Sequence, residues 1–165
     1  MAMNSEDTPT YWDALEETWG DVSIYDGPEV FLEEFAKLPM HVGDLYAAHW
    51  VVSEVENGAL PQLFSNSTGV LAPEAESGLR RIGLADAADA LSQAMIAFGT
   101  PYPRDREVRS AAIKCVWDTP LTPAANELLN RMLDLTDTFL DALGKDSKIF
   151  AAAAEKYAVK FANSA

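Results

Sequence analysis

Apolar residues recur every three or four positions along nearly the whole chain, and Gly, Pro and Asn interrupt them at short intervals, so the pattern predicts a series of amphipathic helices. The first opens at Thr8-Pro9, a cap followed by a first-turn proline, and carries Tyr11, Leu15 and Trp19 inward as far as Gly20. Asp13, Glu16 and Glu17 fall on its outer face. After Gly27-Pro28 a second short helix buries Phe31, Phe35 and Leu38 and turns Glu29 and Glu33 outward. From about Val42 to Val55 the period marks a central helix with Leu45, Tyr46, His49, Trp50 and Val52 inside, stopped by Glu56-Asn57-Gly58. A shorter helical turn opened by Pro61 ends in the polar stretch Asn66 to Gly69.

Beyond it, one helix from near Pro73 buries Ala75, Leu79 and Ile82 and closes on Arg80, Arg81 and Gly83. The next, Asp86 to Phe98, lines up Leu84, Ala88, Leu91, Met95 and Phe98. Past the break at Gly99 to Pro103, a helix is expected with Val108, Ala112 and Cys115 inward and Arg104, Arg106 and Arg109 outward. The alternating signs of Arg104 to Arg109 read as self-paired solvent charge. Thr119-Pro120 and Thr122-Pro123 both suit the start of a long helix that sets Leu128, Met132, Leu135, Phe139 and Leu143 against Glu127, Asp134, Asp137 and Asp141. Asp146 caps a last helix, from about Ser147 to Ala162, burying Phe150, Tyr157 and Phe161. No stretch alternates with period two, so residues 1–165 read as one all-α domain, a bundle of about eight helices with no significant β-sheet.

Charge adds a direction to this picture. The chain holds 26 acids against 12 Lys and Arg, a formal −14 that repels phosphate backbones and anionic lipid surfaces. Direct binding to nucleic acid or membrane is therefore not expected, and a basic protein is the expected partner. Residues 1–57 carry 13 acids and one base, Lys37. Two sets of carboxylates qualify as partner-binding faces: Asp13, Glu16, Glu17, Glu29 and Glu33 from the first two helices, and Glu127, Asp134, Asp137 and Asp141 from the long later one. The first is favoured because the net charge gathers there. Like charges one helical turn apart each cost a few tenths of a kcal/mol, which is offset if a basic partner or solubility is served. A single cysteine, no basic and apolar leader, and no apolar run of the roughly 20 residues a bilayer span requires point to a cytoplasmic protein.

Candidate chemistry is sparse. His41 and His49 lie on one helix roughly 12 Å apart along its axis, too far to share a metal unaided. A His41–Asp44 pair at i, i+3 is available, and His49 reads as a buried ring held by one hydrogen bond. Cys115 reads as a small inert hydrophobe. No nucleophile elbow, phosphate-cradling glycine loop or zinc-protease signature occurs, so no catalytic residue, metal or cofactor is assigned and a non-enzymatic role is expected.

The middle of the chain is more specific. Asn57-Gly58-Ala59-Leu60-Pro61-Gln62-Leu63-Phe64-Ser65-Asn66-Ser67-Thr68-Gly69, then Ala72-Pro73-Glu74-Ala75 and Leu79-Arg80-Arg81-Ile82-Gly83, resembles the signature of a bacterial family of acidic, all-helical proteins. That signature runs Asn-Asn-Gly-Gly-Phe-x-Gln-aromatic-Phe-x-Asn-Ser-Ser-Gly before an Ala-Pro-Glu-Ala helix. Residues 45–110 carry the likeness; Glu56 stands where the family has its first Asn and Ala59 where it has its second Gly. The family includes a DNA mimic, a dimer whose carboxylates stand in for phosphates on the DNA-binding surface of a transcription regulator. The resemblance implies an interaction protein of that kind, a homodimer that blocks a basic DNA-binding protein. The motif residues Asn57, Gly58, Gln62, Phe64, Asn66, Ser67 and Gly69 are read as structural, satisfying backbone groups at a buried turn. Two other readings stay open: an immunity or antitoxin-type protein neutralising a basic toxin, and a small-molecule-binding protein or enzyme with a pocket near Asn57, Gln62 and Asn66.

Overall fold

Proline and glycine punctuation divides the chain much as the pattern predicts. The computed structural model describes residues 10–162; the Thr8-Pro9 start signal and the acids Glu6 and Asp7 lie outside the described residues. Within it, α1 (Thr10–Glu16) and α2 (Pro28–Phe35) precede a long α3 (Met40–Ser65). A 3₁₀ turn, Ser67–Leu71, leads into α4 (Ala72–Ile82) and α5 (Ala85–Met95), followed by α6 (Arg106–Ile113), α7 (Pro123–Leu143) and α8 (Lys148–Ala162). The fold is all-α, with eight helices and no strand among the described residues. No helix there is long and apolar enough to cross a membrane.

The ends are set by local chemistry. Pro28 occupies the first turn of α2, Gly83 ends α4 in the left-handed region with Arg80 and Arg81 in the last turn, and the Thr122 hydroxyl accepts the Ala125 N–H at 3.2 Å to open α7. The other candidate start, Thr119-Pro120, lies before α7 with a cis peptide. Helix α3 forms the axis of the molecule, with α1, α4, α6, α7 and α8 packed on it and α5 bridging α4 and α7. Leu45, Val51, Leu63, Phe64, Leu79, Leu91, Phe139 and Leu143 fill one continuous core.

The predicted stop at Glu56-Asn57-Gly58 is a real break. Gly58 and Ala59 leave helical geometry, and Ala59 takes φ 66, ψ 176, a region reserved almost entirely for glycine. The Leu60 N–H freed by the break donates to the buried Thr136 hydroxyl of α7 at 3.1 Å, which in turn donates to Met132 O at 2.8 Å. A side chain from a distant helix therefore starts the second half of α3. Holding alanine at positive φ costs about 1–3 kcal/mol, while glycine costs about 0.5–1 kcal/mol more backbone entropy on folding. Ala59→Gly is expected to stabilise the protein by about 1 kcal/mol and raise Tm by about 2–4 °C. A scanning-calorimetry Tm at or below the wild-type value would show that the alanine is unstrained.

Two predicted faces are corrected. Trp19 is 49% exposed, edge-on to Trp12 at 5.9 Å, because α1 ends at Glu16 and its period no longer governs position 19. Thr18 turns inward instead, its hydroxyl donating to Leu15 O at 2.8 Å. In α6 the register shifts by one residue: Arg109 and Ile113 are buried, Val108 and Ala112 are exposed, and Cys115 is half-buried in the following turn.

Candidate functional site

The polar motif converges on a single carboxylate. Gln62 Nε2 donates to Glu54 Oε1 at 2.9 Å, Asn66 Nδ2 to the same oxygen at 2.6 Å, and the Thr68 hydroxyl to Oε2 at 3.0 Å. Glu54 sits one turn before the break in α3, and the chain beyond the break turns back so that side chains 8, 12 and 14 residues later reach it. Gly58 belongs to the same device, since a Cβ there would lie 2.0 Å from Gln62 Oε1. Asn57 remains exposed and outside the cluster. The pocket expected near Asn57, Gln62 and Asn66 is thus largely filled by the motif's own hydrogen bonds. A hollow of about 220 Å³ remains beside it, lined by Tyr25, Glu54, Asn66, Ser67, Thr68 and Arg106.

The second half of the motif is organised by Arg109. Its guanidinium is fully buried and donates to Phe64 O at 3.2 Å, Asn66 O at 2.9 Å, Pro103 O at 3.2 Å and Arg104 O. Gly69 makes this possible, because a Cβ there would stand 2.7 Å from Arg109 Nε. The Tyr102 hydroxyl donates to Gly69 O at 2.8 Å, and Phe64 packs on Phe98 with ring centroids 4.6 Å apart. Burial in a site without a paired carboxylate holds the Arg109 pKa below its ordinary value. The expected self-pairing of this charged run does not form. Arg104 forks onto Glu74 of α4 at 2.6 and 2.8 Å, Arg106 donates to Ser65 O at 2.9 Å, and Asp105 accepts the Val108 N–H as the cap of α6.

A third polar group ties helices together. Asp44, buried on α3, accepts from Arg81 Nε of α4 at 2.7 Å and from the Tyr157 hydroxyl of α8 at 2.7 Å. Burial, together with the Asp44 carboxylate, pushes the Tyr157 phenol up to about 12. The His41–Asp44 pair is therefore not made; His41 stacks on Phe161 at 4.6 Å instead. His49 packs against Trp12 at 4.5 Å and Trp50 at 5.3 Å and has no hydrogen bond among the described residues, unlike the single bond expected for it. Among the described residues no group of three or more His, Cys, Asp and Glu side chains is placed to hold a metal ion.

The two acidic faces lie on different helices of the bundle. Asp13, Glu16 and Glu17 project from α1 and the turn after it, and Glu29 and Glu33 from α2; Glu127, Asp134, Asp137 and Asp141 project from α7. All nine are exposed, and none makes a side-chain hydrogen bond or ion pair among the described residues. Other acids of the same N-terminal run turn to structural work: Asp44 and Glu54 as above, Glu34 with Lys37 at 2.7 Å, and Glu56 with Ser147. The α7 stripe is extended by α5, whose Asp86 and Asp89 share a hollow of about 520 Å³ with Asp141.

Glu54, Arg109 and Asp44 are the organising residues that the pattern of hydrophobic and polar positions does not single out. A carboxylate one turn before a run of Gln, Asn and Thr is the one local signal that points to Glu54; the partners of Arg109 and Asp44 lie too far along the chain to be inferred. No curated protein and no solved structure matches the chain significantly. The model of the DMP19-like protein family matches residues 36–161, well beyond the 45–110 stretch that carries the motif and beginning after α1 and α2. With about three quarters of its length matched, the chain belongs to the DMP19-like protein family.

Proposed function

We propose that this chain is a non-enzymatic interaction protein, a DNA mimic that uses exposed carboxylates to occupy the nucleic-acid-binding surface of a basic protein such as a transcription regulator. The observation that carries the reading is the set of nine exposed carboxylates that make no ion pair among the described residues, in a chain of net charge −14. Unpaired acids one helical turn apart repel each other, and a partner bearing Lys and Arg at phosphate-reading positions relieves that repulsion. The α1–α2 face is the one we assign to the contact. The one base of residues 1–57, Lys37, is ion-paired with Glu34, whereas Arg131 interrupts the α7 stripe between Glu127 and Asp134. Membership of the DMP19-like family supports the reading, although α1 and α2 precede the matched residues, so the face is assigned on charge alone.

The test immobilises the full chain, passes a lysate of its own source cells over it and elutes with rising salt, which screens contacts between exposed charges. A basic DNA-binding protein displaced by its cognate DNA is expected. Glu16→Lys with Glu33→Lys should cut its retention at least tenfold with an unchanged circular dichroism spectrum, while Asp134→Lys with Asp137→Lys leaves it near wild type. Equal retention by the Glu16/Glu33 double variant would overturn the assignment of the face, and no specific basic partner at all would overturn the mimic.

A further inference from the structure

Ser67 is a motif residue that the structural reading leaves unexplained. Its hydroxyl makes no hydrogen bond among the described residues, yet the side chain lines two adjoining hollows, of about 290 and 220 Å³, that share Tyr25 and Arg106 as well. The larger is walled by the loop between α1 and α2 on one side and by Arg104, Arg106 and Arg109 on the other. Gathering three of the chain's 12 basic side chains at one hollow is unexpected in a protein this acidic. Their hydrogen bonding is incomplete in a particular way. Arg104 is neutralised by Glu74, but neither Arg106 nor Arg109 meets a carboxylate among the described ion pairs. Arg109, fully buried, spends four of the five N–H groups of a guanidinium on carbonyls and keeps one on Nη2. Arg106 spends only Nε, on Ser65 O, leaving both Nη groups free. The Glu54 carboxylate in the smaller hollow is already held by three donors, so it adds little demand for a cation there.

A planar or tetrahedral oxyanion is the group that answers the open guanidinium fork of Arg106, the one remaining N–H of Arg109 and a free hydroxyl, since it accepts several charge-assisted hydrogen bonds at once. We propose that this hollow binds the carboxylate or phosphate of a small metabolite between Arg106, Arg109 and Ser67, with Tyr25 closing the open side. The size of the hollow, at the lower end of ligand pockets, selects a small ligand and leaves no room for a polymer. None of the carboxylates of the α1–α2 and α7 faces lines the site, and the proposal does not depend on the partner-binding role.

The full chain is titrated with inorganic phosphate and, separately, with succinate, each against sodium chloride of equal ionic strength, and followed by Tm and by calorimetric titration. A net charge of −14 gives an anion no general reason to bind, so a saturable response reports a local site. At least one probe is expected to raise Tm, by about 5–10 °C at a hundred times its dissociation constant. Response to phosphate alone, to succinate alone or to both supports the site and names the group it prefers. Arg106→Gln should weaken that probe at least tenfold and Ser67→Ala several-fold, with the ligand-free Tm of both variants within about a degree of wild type. No saturable response beyond chloride, or an undiminished one in Arg106→Gln, overturns the proposal.

Discussion

Arg109→Met is expected to lower the free energy of unfolding by about 4 kcal/mol, and Tm by about 10 °C, the largest effect of any single substitution considered for this chain. The side chain is fully buried, and its guanidinium binds carbonyls at positions 64, 66, 103 and 104. Methionine fills much of the volume but removes the donors, so acceptors around the end of α3 and the start of α6 lose their partners out of reach of water. Each such loss costs about 1–3 kcal/mol, and partial relaxation of the loop before α6 keeps the sum below the total of the parts. Arg109→Lys keeps the charge but replaces a planar fork with one nitrogen, and a loss of about half that size is expected. Urea unfolding at pH 7 measures both. A loss under about 1 kcal/mol for Arg109→Met would mean that these four bonds are worth no more than their equivalents in water.

The second large effect is a dependence of stability on pH. His49, enclosed by Trp12 and Trp50, has its pKa lowered by burial from 6.5 to about 4. Above pH 6.5 the ring is neutral in both the folded and the unfolded chain and contributes no slope. As pH falls below that value, the unfolded chain takes up a proton that the native protein refuses, so stability drops by about 1.4 kcal/mol per unit. The loss reaches about 3 kcal/mol near pH 4, where the native ring also protonates. His49→Phe removes the titrating group while keeping an aromatic in the site. The difference between wild-type and variant urea midpoints should therefore widen in the variant's favour from pH 7 to pH 4.5. Parallel curves would show that the native ring titrates normally. Taking the difference cancels the titration of the many exposed carboxylates that the two proteins share.

Much of the bundle was legible in the pattern of residues. Pro28, Gly83, Thr122-Pro123 and the stop at Gly58 act through the backbone of their own turns, so a sequence window contains the whole cause. The exposed acids of α1, α2 and α7 follow from helical period for the same reason. The motif around Gln62 and Asn66 was visible as a unit, and its structural character could be read, but not its object. Glu54 is one of the 13 acids of residues 1–57, and nothing in a local window says that the chain will fold back at Ala59 and bring three donors to it. Arg109 shows the limit most clearly. An arginine in a run of alternating charges is ordinarily a solvent residue, and only the convergence of carbonyls about 40 residues upstream with others next to it offsets the cost of burying its charge.

By itself the sequence determined the helices, their ends and the acidic character of the surface, since each depends on interactions within a turn or two and on summed charge. Tertiary structure decided which charges are spent inside. Asp44 finds Arg81 and Tyr157, Leu60 finds Thr136, and Arg106, Arg109 and Ser67 meet around one hollow only once α3, α4, α6, α7 and α8 are packed. The worth of a polar group inside a protein is set by the partners that replace its water, and those partners come from chain positions that local pattern does not connect.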